Sequence, residues 1–329
     1  MQEAIFLDKR IIDSIADILD SKTGKSLEDL NAIKNVKILD NDVVKIELTN
    51  IDKTVQDEIK LLIAKVVKVD LKYPGVIIDF TFDNKEENTN NNGYKYLAIA
   101  SGKGGVGKST VTVNLAYALM RLGKKVGIID VDIYGSSIPL LLNMPIKPLD
   151  LNEEERIIPA KFMDIEVVAM DFFVPKNQPL MWRAPLASQM TKMFFNDVAW
   201  DSEIDIILID MPPGTGDIAI DVRELVPKSD MLIVTSPNIN AANIAVKAGL
   251  GSKEIGHNIL GVIENMSYYY NECSKERVNL FGVGGGTFVA KELGVDLLVA
   301  IPISDSDEAV FKEGSMQRKM YSLLAKNLG

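Results

Sequence analysis

Cysteine and histidine are almost absent from this sequence. Among 329 residues there is one cysteine, Cys273, and one histidine, His257. A single cysteine excludes a disulfide within the chain, and a single histidine excludes a metal site built from several imidazoles.

The chain also lacks a basic excess and long apolar runs. It has 36 Lys and Arg against 46 Asp and Glu, a net charge of −10, which disfavours a nucleic-acid partner. No apolar run approaches the length of a membrane span, and the first residues do not follow the pattern of a secretory leader. We therefore expect a cytoplasmic protein without membrane association. A hydrophobic content of 47% is typical of a globular protein, and the length allows two domains.

The clearest motif that is present is a glycine-rich loop between a predicted strand and a predicted helix. The segment from Gly102 to Ser109 matches G-x-x-x-x-G-K-[ST]. Such a loop binds phosphates with its backbone N–H groups, and we expect Lys108 to contact the β- and γ-phosphates and Ser109 to bind Mg²⁺. The residues predicted to bind ATP here are Gly102, Lys103, Gly104, Gly105, Val106, Gly107, Lys108, Ser109 and Thr110.

The loop begins with a second lysine, Lys103. One lysine is enough for one bound nucleotide, so Lys103 is either a solvated loop residue or a contact to a second nucleotide. In the second case it would act on an opposing γ-phosphate and make ATP bind two subunits together.

The residues before the loop predict a separate small α/β domain over residues 1–83. Apolar spacing predicts helices over 4–20 and 52–67, and β-branched runs predict strands over 35–39, 43–48 and 76–82. Residues 84–94 are polar and rich in asparagine, which predicts a flexible linker. The second domain then covers residues 95–329.

The second domain alternates strands with helices, which predicts a mostly parallel α/β sheet of the P-loop NTPase type with helices on both faces. The predicted strands lie at 96–101, 125–130, 165–170, 204–210, 230–235, 258–264 and 296–301. Ligands of such sheets bind at the carboxyl ends of the strands, so we expect functional residues just after each strand.

Carboxylates occupy two of these strand ends. Asp210 ends the fourth strand in the position of a Walker B residue, which predicts that it holds Mg²⁺ through water. Asp130 and Asp132 follow the second strand. We expect Asp130 in the magnesium site and Asp132 at the attacking water or in the magnesium shell, with an N-cap of the following turn as the structural alternative for Asp132. Lys103, Lys108 and Asp132 are thus the predicted catalytic residues, and the turn 212–216 is a candidate γ-phosphate switch.

Two further segments have phosphate- or base-binding character. Asn265 follows the sixth strand, where its amide can pair with the edge of adenine, although an ordinary turn asparagine is the alternative. The glycine-rich segment 281–286 precedes a helix like a second phosphate loop, but no strand directly precedes it. A flexible helix start is the favoured interpretation.

With these motifs, the chain resembles the Mrp/ApbC group of P-loop ATPases, relatives of MinD, ParA and the nitrogenase iron protein. The segments that carry the resemblance are 103–110, 130–137, 181–185, 210–217 and 261–267. The first domain resembles, less closely, the small domain of iron-sulfur assembly factors.

This resemblance implies a homodimer that binds two ATP molecules, with Lys103 reaching the partner's nucleotide, and slow ATP hydrolysis. It also implies carriage of an iron-sulfur cluster to apo-proteins or scaffold partners, with the cluster held by a C-x-x-C pair shortly after the 265–267 motif. Those two cysteine positions fall on Asn271 and Ser274, with Cys273 between them. A dimer thus offers two thiolates where a cluster needs four, so we do not expect direct cluster binding, and Cys273 is the candidate residual ligand. The alternative function is a regulatory or positioning ATPase without a cluster, like MinD and ParA.

Overall fold

The computed structural model describes residues 10–30, 32–39, 42–49, 51, 55–80, 93–174, 184–214, 216–271, 273–306 and 308–328. The chain divides into two compact units, Met1–Glu87 and Asn88–Gly329. The predicted linker at 84–94 and the residues 181–183 of the resemblance lie wholly or largely outside the described residues.

The first unit is a small sheet covered by helices. Its elements are α1 (10–15), β1 (Ile33–Ile38), β2 (Val43–Leu48), α2 (Gln56–Lys65) and β3 (Gly75–Phe80). Strand β2 lies between the other two, antiparallel to β1 and parallel to β3. Apolar side chains from both helices and from the sheet form one buried core, which includes Ile15, Ile46, Ile59 and Ile63.

The helices of this unit differ from their predicted lengths. The helix expected over 4–20 is helical only over 10–15 within the described residues. Further along, the buried carboxylate of Asp20 accepts hydrogen bonds from the N–H groups of Lys22 and Thr23, both at 2.8 Å, and stabilises a turn within the segment predicted to be helical. The second helix continues beyond residue 67, as one π-helical turn over Val66–Asp70.

The second unit is an eight-stranded sheet with helices on both faces. Its elements in chain order are β4 (Lys95–Ser101), α3 (Lys108–Arg121), β5 (Val126–Asp130), α4 (Ile138–Leu141), β6 (Ala160–Phe162), β7 (Ile165–Ala169), α5 (Ala184–Asn196), β8 (Ile206–Asp210), α6 (Asp217–Leu225), β9 (Asp230–Thr235), α7 (Ile239–Glu254), β10 (Asn258–Glu264), β11 (Tyr269–Asn271), β12 (Glu276–Val278), α8 (Gly285–Leu293), β13 (Asp296–Ala300) and α9 (Met316–Leu328).

The strand order in the sheet is β13-β10-β9-β4-β8-β5-β7-β6, and every pairing is parallel except that of the edge strand β6 with β7. The predicted fold class is therefore confirmed. Each of the seven predicted strands is present, with ends shifted by two residues at most. The sequence reasoning missed β6 and the β11–β12 hairpin.

Both faces of the sheet are buried, and β8 shows how. Its residues Ile206 and Leu208 pack into the core under α3, α4 and α9, while Ile207 and Ile209 pack into the core under α5 to α8. Full burial of each such side chain contributes about 1.5–3 kcal/mol. A strand with two buried faces has to be apolar throughout, which explains the uninterrupted run that predicted it. Among the described helices, none is long and apolar enough to cross a membrane.

Candidate nucleotide site

Three neighbouring strands end together at one edge of the sheet. Strand β8 lies between β4 and β5, and Asp210 is paired in register with Ile99 on one side and Asp130 on the other. The N–H of Met211 donates to the Ile99 carbonyl, and the N–H of Val131 donates to the Asp210 carbonyl, both at 3.0 Å. The glycine loop after β4 therefore lies beside both carboxylates.

The loop requires glycine at specific positions. Gly105 and Gly107 both have φ of +82°, a region that favours glycine. A Cβ on Gly107 would also lie 2.2 Å from Asn265 Nδ2, and one on Gly102 would lie 2.5 Å from the backbone nitrogen of Ala245. Helix α3 begins directly after this loop, so its N-terminal N–H groups and dipole favour an anion here.

Three side chains converge on Asp210, those of Lys108, Ser109 and Thr112. Thr112 was not predicted from the sequence. Lys108 Nζ lies 2.6 Å from Asp210 Oδ2, and Ser109 Oγ donates to the same oxygen at 2.6 Å. Thr112 Oγ1 donates to Oδ1 at 2.6 Å. Asp210 is fully buried, and Lys108 is 6% exposed. Both oxygens of a buried carboxylate thus have donors, which offsets the cost of its burial.

Asp132 and Asp130 lie at the same edge of the sheet, but their contacts differ. Asp132 Oδ2 lies 3.8 Å from Lys108 Nζ. Asp130 is fully buried and accepts hydrogen bonds from Asp132 N at 3.0 Å, Ser137 N at 3.1 Å and Ser136 Oγ at 3.1 Å. Asp130 therefore holds the loop that carries Asp132, and its role as a magnesium ligand stays a prediction.

Burial controls the proton affinity of both residues. Burial, with the neighbouring charge of Asp210 as the next cause, raises the pKa of Asp130 to about 7. Burial also raises the pKa of Asp132, while the Lys108 ammonium opposes that shift. With three carboxyl groups around one buried ammonium, the site carries excess negative charge when they are ionised. A divalent cation would compensate this charge.

The side chain of Asn265 contacts the glycine loop. Its Nδ2 donates to the carbonyl of Val106 at 3.0 Å, and its backbone N–H donates to the Thr235 carbonyl at 2.8 Å. The buried amide has one further N–H and a carbonyl oxygen, which are the groups that an adenine edge needs. Asn265 therefore connects the loop to the end of β10, and adenine recognition stays a prediction.

The two lysines of the loop lie in different environments. Lys108 is buried at the carboxylates, whereas Lys103 is exposed together with Gly104 and Gly105. The predicted switch segment contacts the residue just before the loop, because Gly214 N donates to the carbonyl of Ser101 at the end of β4, at 2.7 Å. Thr215 within that segment lies outside the described residues.

Comparison with known protein families identifies the family of this chain. The ParA family, described as NUBPL iron-transfer P-loop NTPase, matches residues 93–326, and a family described as iron-sulfur cluster assembly protein matches residues 8–76. The chain belongs to the NUBPL iron-transfer P-loop NTPase family. The resemblance drawn from the motifs is thereby confirmed.

One relative of this NTPase extends the match over almost its whole length. The chain is 38% identical over 327 residues to the iron-sulfur cluster carrier protein of Bacillus subtilis (strain 168), covering 92% of each chain. It is 41% identical over 215 residues to the protein of the same name from Mycobacterium leprae, covering 64% of this chain and 55% of that one.

Solved structures match the second unit. The nucleotide-binding protein in complex with ADP from Archaeoglobus fulgidus is 32% identical, with a TM-score of 0.56 over 71% of this chain and 87% of that one. The septum site-determining protein MinD from Pyrococcus horikoshii OT3, complexed with Mg-ADP, is 23% identical, with a TM-score of 0.52 over 71% of this chain and 96% of that one. The second likeness concerns the fold alone.

The β11–β12 hairpin of this NTPase contains the positions that the resemblance assigns to a cysteine pair. Asn271 ends β11, and its side-chain oxygen accepts hydrogen bonds from the N–H groups of Cys273 at 2.9 Å and Ser274 at 3.2 Å. Asn271 thus stabilises the turn, and Cys273 is exposed on it. Among the described residues, no three His, Cys, Asp or Glu side chains are arranged to hold a metal ion.

The glycine-rich segment before α8 is occupied by a carboxylate of the protein itself. Glu264 Oε2 accepts a hydrogen bond from Gly286 N at 2.6 Å, and Glu264 Oε1 accepts one from Ser267 Oγ at 2.5 Å. A Cβ on Gly285 would lie 2.5 Å from the Ser236 carbonyl oxygen. These glycines allow α8 to pack closely on the sheet, and Glu264 takes the place an anion would use.

Two residues of this region were not found by sequence reasoning. Thr112 lies one helical turn after Lys108, on the same face of α3, so the i, i+4 spacing was the available signal. Glu264 directly precedes Asn265, and an acidic residue at the end of a buried strand was the corresponding signal.

Proposed function

We propose that this NTPase is a Mg²⁺-dependent ATPase that turns over slowly in the cytoplasm as a homodimeric switch for iron-sulfur cluster carriage. The observation that supports it most is the convergence of Lys108, Ser109 and Thr112 on the buried Asp210, all at 2.6 Å. A lysine and a hydroxyl at the start of a helix, beside a carboxylate at a strand end, are the groups needed for a phosphate and its metal ion.

The oxygen donors at this edge fit Mg²⁺. Ser109 Oγ would bind the ion directly and Asp210 through water, and a site with few protein ligands suits Mg²⁺, which keeps waters and phosphate oxygens around it. The ion would neutralise phosphate charge. Lys108 would exchange Asp210 for phosphate oxygens when ATP binds, because its ammonium already lies in the loop.

Asp132 is the residue best placed to act on the attacking water. It is held near Lys108, and the Asp130 carboxylate fixes its backbone. Its side chain would accept a hydrogen bond from the water and orient it toward the γ-phosphate. Burial raises the pKa of Asp132, which makes this carboxylate more basic than a solvated one.

Equilibrium ATP binding tests the assignment. Lys108→Ala should abolish binding of Mg-ATP because the buried charge that meets the phosphates is lost. Lys124→Ala is the control, since Lys124 lies after α3 and pairs with Asp205 at 3.6 Å, away from the loop. Normal affinity in Lys108→Ala would remove the basis of the proposal.

The argument for a homodimer depends on Lys103. This exposed side chain would reach the γ-phosphate bound by the partner subunit, so ATP would hold the two subunits together. Sedimentation velocity of wild type and Lys103→Ala, each with and without Mg-ATP, tests this role. We expect ATP to drive association of the wild type only; equal behaviour of the two proteins would contradict it.

The cluster role has a competing alternative. Because Asn271 and Ser274 stand at the expected cysteine positions, a regulatory or positioning ATPase without a cluster is the second candidate. Reconstitution with iron and sulfide, followed by iron analysis and visible absorbance, separates them. About four irons per wild-type dimer, lost in Cys273→Ser, would support a bound cluster. No bound iron would favour the second candidate.

A further inference from the structure

A basic groove lies at the far end of α3 from the nucleotide site. It has a volume of about 400 Å³ and is lined chiefly by Arg121, Glu313, Arg318, Lys319, Leu323 and Lys326. Four of these six side chains are cationic and one is anionic, in a chain whose net charge is −10. The groove therefore carries charge of the opposite sign to the protein as a whole.

Two of the four cations are held in place by neighbours. The guanidinium carbon of Arg318 lies 5.2 Å from the centroid of the Tyr117 ring, and Arg121 Nη2 lies 3.5 Å from Glu313 Oε1. Lys319 and Lys326 are exposed, and within the described part of the chain no carboxylate lies within ion-pair distance of either. The groove thus offers oriented guanidinium groups and two ammonium groups without protein counter-charges.

The walls of the groove are fixed by the packing of α9 on α3. Tyr321, Leu324 and Ala325 of α9 are buried in the core that α3 shares. The Asn114 side chain on α3 also donates to the Ala309 carbonyl at 2.6 Å and accepts from Phe311 N at 3.0 Å. The backbone that carries the groove is therefore preformed, which reduces the entropy lost on binding.

The packing of α9 favours an acidic peptide over an anionic membrane as the partner of the groove. A helix that lies on a membrane needs a free apolar face, and the apolar face of α9 is buried within the protein. The apolar side chain that remains in the groove is Leu323, which is 55% exposed between Lys319 and Lys326 on the helix surface. One exposed apolar side chain among cations suits a peptide with both carboxylates and an apolar residue.

We propose that the basic groove docks an acidic, leucine-containing segment of a partner protein. Carboxylates of that segment pair with Lys319, Lys326 and the Arg318 guanidinium, and an apolar side chain covers Leu323. The groove is about 20 Å from the glycine loop along α3. Docking there is independent of the ATPase assignment and goes beyond it.

Fluorescence anisotropy with the full-length protein tests the groove. The probe is a fluorescein-labelled peptide of repeating Glu-Glu-Leu triplets, compared with the same peptide carrying Gln in place of Glu. We expect wild type to bind the acidic peptide, more weakly as salt rises, and the double variant Lys319→Glu/Lys326→Glu to bind it about tenfold more weakly. Lys319→Gln/Lys326→Gln should show a smaller loss.

The control variant is Lys192→Glu/Lys228→Glu, which makes the same change in net charge with two exposed lysines outside the groove. It should bind the peptide like wild type. All variants should bind Mg-ATP with unchanged affinity, which reports folding separately from docking. Equal loss in the control variant, no loss in the groove variants, or wild-type binding to oligothymidylate or phosphatidylserine vesicles but not to the peptide would overturn the proposal.

Discussion

Thr112 offers the sharpest test of how the site is built. It is fully buried, and its hydroxyl donates to Asp210 Oδ1 at 2.6 Å, while Lys108 and Ser109 use the other oxygen. Thr112→Val replaces the hydroxyl with a methyl group of similar size, so no cavity forms. Helix propensity also changes little, because valine and threonine rank together.

The expected cost is therefore the lost hydrogen bond to a charged acceptor. Such bonds contribute about 1.5–3 kcal/mol. The second bond of the hydroxyl, to the Lys108 carbonyl at 3.2 Å, is long and adds little. We expect Thr112→Val to lower the free energy of unfolding by about 2 kcal/mol.

Urea unfolding monitored by tryptophan fluorescence measures this loss. Both tryptophans, Trp182 and Trp200, belong to the second unit, so the signal reports that unit separately from the first. Thr112→Ser keeps the donor and is the matched control, with a smaller loss expected. A Thr112→Val protein within about 0.5 kcal/mol of wild type, or a serine variant that loses as much as the valine variant, would refute the reasoning.

Three further predictions concern kinetics, packing and pH. Asp132→Ala should slow ATP hydrolysis far more than it weakens Mg-ATP binding, because the contact to water is made mainly in the transition state. Gly286→Ala should destabilise the second unit by about 1–3 kcal/mol in urea unfolding, since the added carbon would lie 2.6 Å from Glu264 Cβ. Relative to His257→Gln, the wild type should lose stability as pH falls below about 6.5, because the folded protein holds His257 neutral.

Each of these predictions has a contradicting result. Equal loss of binding and hydrolysis in Asp132→Ala would indicate a structural role. Gly216→Ala is the control for Gly286→Ala, because nothing lies within 4 Å of its added carbon, and equal losses would exclude the packing argument.

The sign of the His257 effect follows from its environment. Burial, opposed by the hydrogen bond to the Ala219 carbonyl, lowers the pKa of His257 below 6.5 in the folded protein, and Arg223 adds to the lowering. Below pH 6.5 the unfolded chain therefore binds the proton first, and stability falls until the folded pKa is reached. Groups such as Asp130 are common to both proteins, so identical pH profiles for wild type and His257→Gln would contradict the prediction.

The sheet could be predicted because its signals are local. A strand buried on both faces is an unbroken apolar run, and a phosphate loop needs glycine and lysine at fixed spacing. Strand β6 and the β11–β12 hairpin have three residues per strand, which is too short for a periodic pattern to emerge.

The residues of the candidate site could be predicted from the sequence, but the contacts between them could not. The motifs bring Lys108, Ser109 and Asp210 to one edge, and the structure places them within hydrogen-bond distance. That Thr112 holds the second oxygen of Asp210 depends on packing between residues 98 positions apart. The contact between Asn265 and Val106, 159 positions apart, could not be predicted from the sequence for the same reason.

The attachment of α9 to α3 has a consequence for how the protein is made. Asn114 on the P-loop helix accepts its hydrogen bond from Phe311, which is synthesised 197 residues later. While the ribosome is still translating the intervening chain, the apolar surface that α9 will cover has no partner in the nascent protein. We expect a chain that stops before Met316 to be bound by chaperones, so the candidate nucleotide site would mature only after α9 has been translated.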